Sequence, residues 1–483
     1  MKNNEATVES LPYFAKQTTV LKIFGISLTG NEGKAYRFYS TLLLVITIVL
    51  HPFLGLREMF VHGIEVYLDY MVYEFAYFMV LAKIAVTYNN RIKLGKILRR
   101  LHEKPFLPDT ERGGTKEKIL LDECQWITNA QILVYWGMAF STVAATILYT
   151  LIIRISSNDY HDWVLTYGPL SVLNITSSPN YEITLFYQNF SMSCCTILFT
   201  ATDLLIASVL AHISYQFQIL QNYMRRLVKD TYTTDFKGDE SLGITVKTTL
   251  IPWELLRKKQ SQFIKYHIEI IDIARKMEEA FSVLLLLVYL GTIGLLCFEI
   301  YRGSMVTNYM QLVRTFGEII SFLVQIGTLS FWGEQVILQS EAVSNAAYET
   351  DFVGSDLRFQ KGLLMIMCRS QRAVKLTAGK FAIIQLFTFT WGMENLSSTP
   401  ILVAHVHSRT SYLQMCFEKI KWNTCVHFAM YVIKAACDQV TEKGIDLLVV
   451  VLASATLSVS NNATVHARSL SGTVKFVFRI IIG

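Results

Sequence analysis

The sequence predicts an all-α polytopic membrane protein with seven transmembrane helices, a cytoplasmic amino terminus and a helical cytoplasmic anchor region. Of the 483 residues, 52% are hydrophobic and only 17% are charged, whereas soluble domains average about 25% charged residues. Several windows of roughly 20 apolar residues are long enough to cross about 30 Å of hydrocarbon. Lys and Arg also alternate between dense and sparse segments, as in chains that cross a membrane repeatedly.

The apolar windows predict six complete spans and the start of a seventh. Residues 1–37 are polar and show no cleavable signal pattern, so they are expected to form a cytoplasmic amino terminus. Residues 38–331 are then expected to form one helical bundle with two long loops, 89–129 and 216–277. The predicted spans cover residues 38–56, 70–88, 130–155, 189–212, 280–300 and 311–331, and the seventh begins near Phe381.

The distribution of Lys and Arg predicts the orientation in the membrane. Four alternate segments hold 31 of these residues, and the three segments between them hold two. Positive residues stay on the cytoplasmic side, so the amino terminus is predicted to be inside and the seventh span to emerge outside. This orientation disfavours a G-protein-coupled receptor, whose amino terminus is outside. The basic segments are 1–37, 89–129, 216–277 and 333–380, and the others are 57–69, 156–188 and 302–310.

A basic amphipathic helix is predicted in the second half of loop 216–277. Pro252 suits the first turn of a helix, and apolar residues from Leu256 to Met277 recur at helical spacing between Lys and Arg residues. Such a helix can lie against anionic lipid headgroups, or it can extend below the membrane and pack into a bundle. The sequence leaves both interpretations open.

The stretch from Phe331 to Thr390 is the most specific part of the chain. Its residues predict, in order, the end of an apolar helix, a polar segment with a second helix, a glycine break and the start of a third helix. This order resembles the carboxy-terminal signature of insect odorant receptors, seven-span receptors that form ligand-gated cation channels. The motifs are Phe331-Trp332-Gly333-Glu334, Ala346-Ala347-Tyr348, the run from Leu363 to Arg372 and Lys375-Leu376-Thr377-Ala378-Gly379-Lys380-Phe381.

The segment 332–380 is expected to hold a cytoplasmic anchor helix. Asp356 is a suitable N-cap for a helix from Leu357 to about Ser370. The resemblance implies that this helix is the centre of contact between subunits, although each residue has an ordinary packing or surface role as its alternative. The residues expected to determine subunit assembly are Leu363, Leu364, Ile366, Arg369 and Gln371.

The resemblance also implies a ligand pocket in the outer half of the bundle, formed by the second to sixth spans. A small volatile ligand requires apolar and aromatic walls with one or two polar groups that orient it. Packing between helices, or contact with lipid, is the alternative role of each candidate. Selected by depth in their spans, the candidates are Tyr73, Ala76, Tyr77, Thr146, Tyr149, Met192 and Thr196.

Two acidic residues lie inside predicted spans, where a charge is costly and usually has a purpose. Asp203 is near the middle of the fourth span, and Glu318 is in the sixth. Each is expected either to serve a function in a water-filled cavity or to pair with a polar group on another helix. Lys83 lies close enough to the cytoplasmic end of its span that we expect its amine to reach the headgroups.

Two glycosylation sequons agree with the predicted orientation. Asn174-Ile175-Thr176 lies in an outer loop, and Asn189-Phe190-Ser191 lies at its edge. No catalytic, cofactor or nucleic-acid-binding motif occurs, and the spacing of His and Cys residues fits no standard zinc pattern. We therefore expect neither an enzyme nor a metalloprotein.

The resemblance weakens in the seventh span. In the family the helix that follows Thr-Ala-Gly-Lys lines the channel, so Phe381, Leu386 and Phe389 are expected to be residues of the pore helix. The apolar run covers only residues 381–391, and residues 392–483 match no family pattern. They are either a divergent carboxy-terminal tail or the product of altered splicing or an inaccurate gene structure, and in the second case the chain would be a non-conducting variant.

With this topology, the resemblance implies an odorant receptor subunit in the plasma membrane of olfactory sensory neurons. It would bind a small volatile ligand, contact membrane lipid and assemble with the odorant co-receptor as a hetero-oligomer, expected to be a tetramer, into a ligand-gated cation channel. A gustatory-type receptor channel of the same superfamily is one alternative. A secondary transporter is another, although only Asp203 and Glu318 offer the ion ligands at mid-membrane depth that it requires.

Overall fold

A computed structural model of the protein is almost entirely helical. It describes residues 13–29, 32–62, 70–109, 112, 114–156, 159, 161, 163, 165–235, 251–305 and 309–388. The helices are α1 (Ala15–Ile23), α2 (Lys34–Leu44), a π-helical turn (Val45–Val49), α3 (Leu50–His62), α4 (Met71–Arg100), α5 (Thr115–Ser156), α6 (Asn180–Asp235), α7 (Trp253–Met305), α8 (Tyr309–Tyr348) and α9 (Leu357–Ser370).

Six helical stretches within the described residues are long and apolar enough to cross a membrane. The first combines α2, the π-helical turn and α3, and the others are α4 to α8. The all-α polytopic class is therefore confirmed. Helices α4 to α8 are longer than the roughly 20 residues that a bilayer requires, so much of the two long predicted loops is helical.

Helix α6 is the central helix of the bundle. It packs against α1, α4, α5, α7 and α8, and 89% of its most apolar window is buried. Only 17% of the corresponding window of α5 is buried, so α5 lies at the periphery. Polar side chains on α6 thus face protein on nearly every side, and they need partners there rather than in lipid.

The basic amphipathic segment after Pro252 is part of one continuous helix, α7. Its apolar residues Leu256, Phe263 and Ile270 are at most 1% exposed, and α7 packs against α4 and α9. The structure therefore shows this segment packed in a helical bundle, as part of a helix of 53 residues that is much longer than a bilayer requires.

The amino-terminal helix α1 is anchored to the bundle. Phe14 and Leu21 are buried in the main core, and the Gln17 side-chain amide donates a hydrogen bond of 2.7 Å to Ser208 Oγ of α6. The polar amino-terminal segment thus packs against the core from Phe14 onward.

Helix α9 begins as predicted. The Asp356 side chain accepts a hydrogen bond of 2.8 Å from the backbone N–H of Arg358, which confirms the N-cap. After α9 the chain forms an antiparallel hairpin of β1 (Thr377–Ala378) and β2 (Ala382–Ile383). The Gly379 N–H donates to the Ser282 carbonyl of α7 at 2.9 Å, which attaches the hairpin to the bundle.

The hairpin corrects the predicted start of the seventh helix. Gly379 and Lys380 have φ values of +59° and +64°, and this left-handed pair reverses the chain before Phe381. Phe381 is therefore a turn residue that is 70% exposed, and the next helical turn opens at Leu386. The predicted pore residue Phe389 and the tail 392–483 lie outside the described residues.

Candidate ligand-binding site

A cavity of about 100 Å³ is lined by residues of α4, α5, α6, α7 and α8, and we call it the outer cavity. Five of the residues predicted as ligand contacts line it, two each from α4 and α6 and one from α5: Tyr73, Ala76, Thr146, Met192 and Thr196. The rest of the wall is mainly apolar or aromatic and includes Val72, Tyr135, Ala139, Val143, Phe199 and Phe322. Such a lining suits a small organic ligand.

Two residues predicted as ligand contacts are not on this wall. Tyr77 is fully buried, and its hydroxyl shares a hydrogen bond of 2.8 Å with Ser191 Oγ. Its ring stacks on His51 at a centroid distance of 4.4 Å. Tyr149 is half-buried on α5 outside the lining. Both residues lie at a suitable depth in their helices, but neither side chain reaches the cavity. Tyr77 instead packs between helices, which is the alternative role stated for each candidate.

The loop between α5 and α6 closes one end of the cavity. Tyr167 of this loop is buried and meets the Tyr73 ring edge-on at a centroid distance of 5.1 Å. The Gln188 side chain donates a hydrogen bond of 2.9 Å to the Gly168 carbonyl, which ties the loop to α6. The Arg314 guanidinium lies 5.1 Å and 5.6 Å from the Tyr73 and Tyr167 ring centroids, distances at which cations are attracted to aromatic faces.

A largely buried charge cluster forms the polar edge of the cavity. Glu318 accepts hydrogen bonds from both Arg302 and Arg314, and Arg302 also binds Glu299 at 2.8 Å. Both guanidinium groups donate to the Tyr73 hydroxyl. Two carboxylates thus balance two guanidinium groups, which makes burial of the charges tolerable. Glu299 and Glu318 both line the cavity and can orient a ligand.

The sequence identified Glu318 but not its partners. Glu299 and Arg302 are three residues apart, and Arg314 and Glu318 are four apart, so each pair lies on one helical face. That spacing was a usable signal for paired charges inside the membrane. What the sequence did not show is that the two pairs, on α7 and α8, meet each other.

Asp203 pairs with Lys83 beneath the outer cavity. The Lys83 amine lies 2.7 Å from Asp203 Oδ2, and the two side chains are 1% and 3% exposed. The amine also lies 3.5 Å from the centroid of the Phe199 ring, and the Gln325 side chain donates to the same carboxylate oxygen. The prediction that Lys83 reaches the headgroups is wrong, because its side chain faces α6 and is satisfied there.

The predicted assembly residues divide into two groups on α9. Leu363 and Ile366 are 1% and 6% exposed and pack in the chain's own core. Leu364 is 56% exposed, and Arg369 and Gln371 are also exposed. Only these last three are free to contact another subunit in this conformation.

The two sequons also differ in their surroundings. Asn174 is exposed on the loop between α5 and α6, where its Oδ1 accepts a hydrogen bond of 2.6 Å from the Thr176 hydroxyl. Asn189 is buried within α6, and its amide nitrogen donates to the Leu185 carbonyl at 2.8 Å. The structure therefore argues against glycosylation of Asn189, because its nitrogen is inaccessible and already bonded.

The sequence matches a known receptor family. The family model described as "7tm Odorant receptor" matches residues 64–394, which is more than half of the chain. Odorant receptor 67a of Drosophila melanogaster is 27% identical over 193 residues, 40% of this chain and 44% of that protein. Odorant receptor 22c of the same organism is 27% identical over 193 residues, covering 40% and 46%. The chain thus matches just under half the length of these two relatives.

The fold also matches solved structures. The insect olfactory receptor OR5 from Machilis hrabei, in complex with eugenol, superposes with a TM-score of 0.66 at 13% identity, covering 82% of this chain and 98% of that one. A second OR5 structure gives a TM-score of 0.64 at 14% identity, covering 80% and 96%. At this identity the likeness concerns the fold alone. Because the family match extends from α4 through the hairpin, the chain belongs to the insect odorant receptor family.

Proposed function

We propose that this chain is an odorant receptor subunit that binds small volatile molecules in the outer cavity. The observation that carries the proposal is the cavity itself: an apolar and aromatic space inside the bundle, closed by an outer loop, with buried charged groups along one edge. Ligand sites in proteins commonly have this composition. Since OR5 was solved with eugenol, eugenol is a reasonable first ligand to test.

The size of the cavity indicates how a ligand would act. A cavity of about 150 Å³ accepts benzene, and the outer cavity measures about 100 Å³. An odorant therefore needs side chains to move, and the flexible Met192 is the wall residue best suited to adapt. A ligand that favours the expanded form shifts the balance between two conformations, and a shift from 1:99 to 99:1 requires a differential affinity of about 5.5 kcal/mol.

The polar edge indicates which ligands are favoured. Glu299 and Glu318 supply acceptor oxygens, and the remaining walls are mostly apolar. We expect ligands with an apolar body and one hydrogen-bonding group directed towards the charge cluster. A purely apolar molecule would leave that edge without a new partner and should bind more weakly.

In the proposed assembly the chain joins the odorant co-receptor in a hetero-oligomeric cation channel in the plasma membrane. The exposed residues Leu364, Arg369 and Gln371 of α9 are the proposed contacts between subunits. The proposed orientation has a cytoplasmic amino terminus, supported by the excess of Lys and Arg in alternate segments.

The test is odorant-evoked current in cells that express this chain with and without the co-receptor. Ala76→Phe fills the outer cavity and should weaken the response to an activating odorant at least tenfold. Ala145→Phe is the matched control, because Ala145 is exposed on α5 next to Thr146. An unchanged response in Ala76→Phe would contradict the assigned site. Currents that need no co-receptor and follow a solute gradient would instead favour a transporter.

A further inference from the structure

A second cavity, which we call the inner cavity, lies next to the outer cavity. It measures about 240 Å³, more than twice the outer cavity, and it lies between α5, α6 and α8. The side chain of Tyr135 lines both cavities. The polar groups of the inner cavity include the buried side chains of Asp203 and Gln325 and the hydroxyl of Tyr135, and its apolar residues include Val134, Leu204, Ala207 and Val324.

Two acceptor atoms of this wall have no hydrogen-bond partner within the described residues. Asp203 Oδ2 binds Lys83 and Gln325, but Asp203 Oδ1 is unpaired. Gln325 Oε1 is unpaired as well. Both side chains are only 3% exposed. Buried acceptors are normally paired, so this wall can accept a hydrogen bond that the neighbouring side chains do not donate in this structure.

The charges in the wall favour a neutral donor over a cation. The Lys83 ammonium already balances the Asp203 carboxylate at 2.7 Å, so an added cation would meet no net negative charge. Most of the wall is apolar, and it would gain nothing from contact with a strongly hydrated ion. An O–H group on an apolar body satisfies both parts of the wall.

The inner cavity is reachable from the surface of the bundle. Trp126 and Val134 of α5 line it and are 70% and 58% exposed. Trp126 lies towards the end of α5 that the proposed orientation places at the cytoplasmic headgroups, where the amphipathic Trp side chain is favoured. A small amphiphile dissolved in the membrane could therefore enter beside Trp126.

We propose that the inner cavity is a second ligand site, which binds small neutral molecules with an apolar body and a hydroxyl group. Because a cavity of about 150 Å³ holds benzene, this one accommodates a benzene ring with a short substituent. The proposal does not depend on the outer cavity being the odorant site. Its polar contacts are Asp203 Oδ1 and Gln325 Oε1.

The test is equilibrium binding of radiolabelled benzyl alcohol to the purified full-length chain in phosphatidylcholine nanodiscs, with empty nanodiscs as background. Benzyl methyl ether is the matched competitor, because it keeps the ring and lacks the O–H donor. We expect saturable binding that unlabelled benzyl alcohol displaces and that the ether displaces at least tenfold more weakly.

Substitutions in the walls of the two cavities show which cavity binds benzyl alcohol. Ala207→Leu fills the inner cavity and should abolish the saturable component that the ether displaces weakly, and Gln325→Met removes one acceptor and should weaken that component several-fold. Ala76→Leu fills the outer cavity, so it should remove only benzyl alcohol bound there and leave the affinity of that component unchanged. Each variant is compared only if it elutes as a single species in gel filtration.

Three results would overturn the proposal. Absence of saturable binding to well-folded protein would mean that water alone satisfies the two acceptors. Equal displacement by the ether would show that the donor plays no part. Loss of binding in Ala76→Leu but not in Ala207→Leu would move the site to the outer cavity.

Discussion

The ion pair of Lys83 and Asp203 shows how much a single side chain depends on its surroundings. Each residue alone would be an uncompensated charge inside a bundle of apolar helices, and such charges are costly. Together, with the Gln325 amide, they form a hydrogen-bonded group that joins α4, α6 and α8. We therefore expect the protein to lose stability when one of the two residues is replaced and to tolerate the replacement of both.

We predict that Lys83→Met destabilises the protein by about 3–5 kcal/mol, because it leaves the Asp203 carboxylate buried without a counterion. The double variant Lys83→Met/Asp203→Leu should recover most of the loss. The stabilities of the single and the double variant are compared by thermal denaturation, with fluorescence-detected gel filtration as the readout. Lys93→Met is the control, since Lys93 is exposed on the same helix. A double variant as unstable as Lys83→Met would contradict this account.

His102 is a residue whose protonation should affect the amino-terminal helix. Its Nδ1–H is assigned as donor to the Leu98 carbonyl at 3.0 Å, and its Nε2 accepts from the Tyr13 N–H at 3.4 Å. Only the neutral ring can do both. Burial lowers the pKa of His102 below its ordinary value of about 6.5. The folded protein thus binds fewer protons than the unfolded chain, and the stabilising contribution is lost as pH falls below 6.5.

We therefore expect α1 to lose hydrogen-exchange protection when the pH is lowered from about 7.5 to about 5.5, on either side of the ordinary histidine pKa. Protection factors for Ala15–Ile23, corrected for the intrinsic pH dependence of exchange, are the measurement. His102→Gln cannot titrate in this range and should show no such loss. An equal loss in that variant would assign the effect to another group.

Among the elements, the hairpin after α9 depends most on one glycine. Gly333 of α8 faces Ile384, and a Cβ added at Gly333 would lie 2.5 Å from the Ile384 carbonyl oxygen. Backbone cannot yield as a flexible side chain can, so the hairpin packs against α8 only because this position lacks a side chain. The same segment carries the chain into the predicted seventh span.

We predict that Gly333→Ala displaces the hairpin and lowers the exchange protection of residues 377–384. Gly327→Ala is the matched control on the same helix, because a Cβ there would meet no atom within 4 Å. By helix propensity alone both substitutions should stabilise α8 by about 0.5–1 kcal/mol. Loss of exchange protection in Gly333→Ala but not in Gly327→Ala would therefore assign the effect to the contact with Ile384. Equal protection of residues 377–384 in the two variants would contradict the importance of that contact.

At the scale of the whole molecule, the charge asymmetry sets the expected orientation. Three of the four basic segments, 89–129, 216–277 and 333–380, include ends of α4 to α8. We predict that antibodies do not reach an amino-terminal epitope on intact cells but do reach an epitope in the loop beside Asn174. Staining of the amino terminus without permeabilisation would reverse the orientation and the proposed channel assembly.

The sequence predicted the bundle well because span length and composition are local properties. The N-cap at Asp356 and the five wall residues followed from short-range chemistry and from depth along a helix. The pairing of Asp203 with Lys83 and of Glu318 with Arg302 could not be predicted, because Lys83 and Arg302 reach these carboxylates from other helices. Arg314 was within reach of prediction, since it lies four residues before Glu318 on the same helix. The hairpin before Leu386 was missed because strands of two residues have no periodicity.

Two polar links join α4 to α8 at different depths. One is the contact of Tyr73 with Arg314 and Glu318, and the other runs from Lys83 through Asp203 to Gln325. Tyr73 and Lys83 are ten residues apart on α4, or about 15 Å along its axis. A helix held at two points cannot rotate or slide without breaking one of them, so α4, α6 and α8 should move as one rigid body. A conformational signal that reaches the end of α8 must then arrive as a displacement of the whole trio or as an abrupt exchange of polar partners.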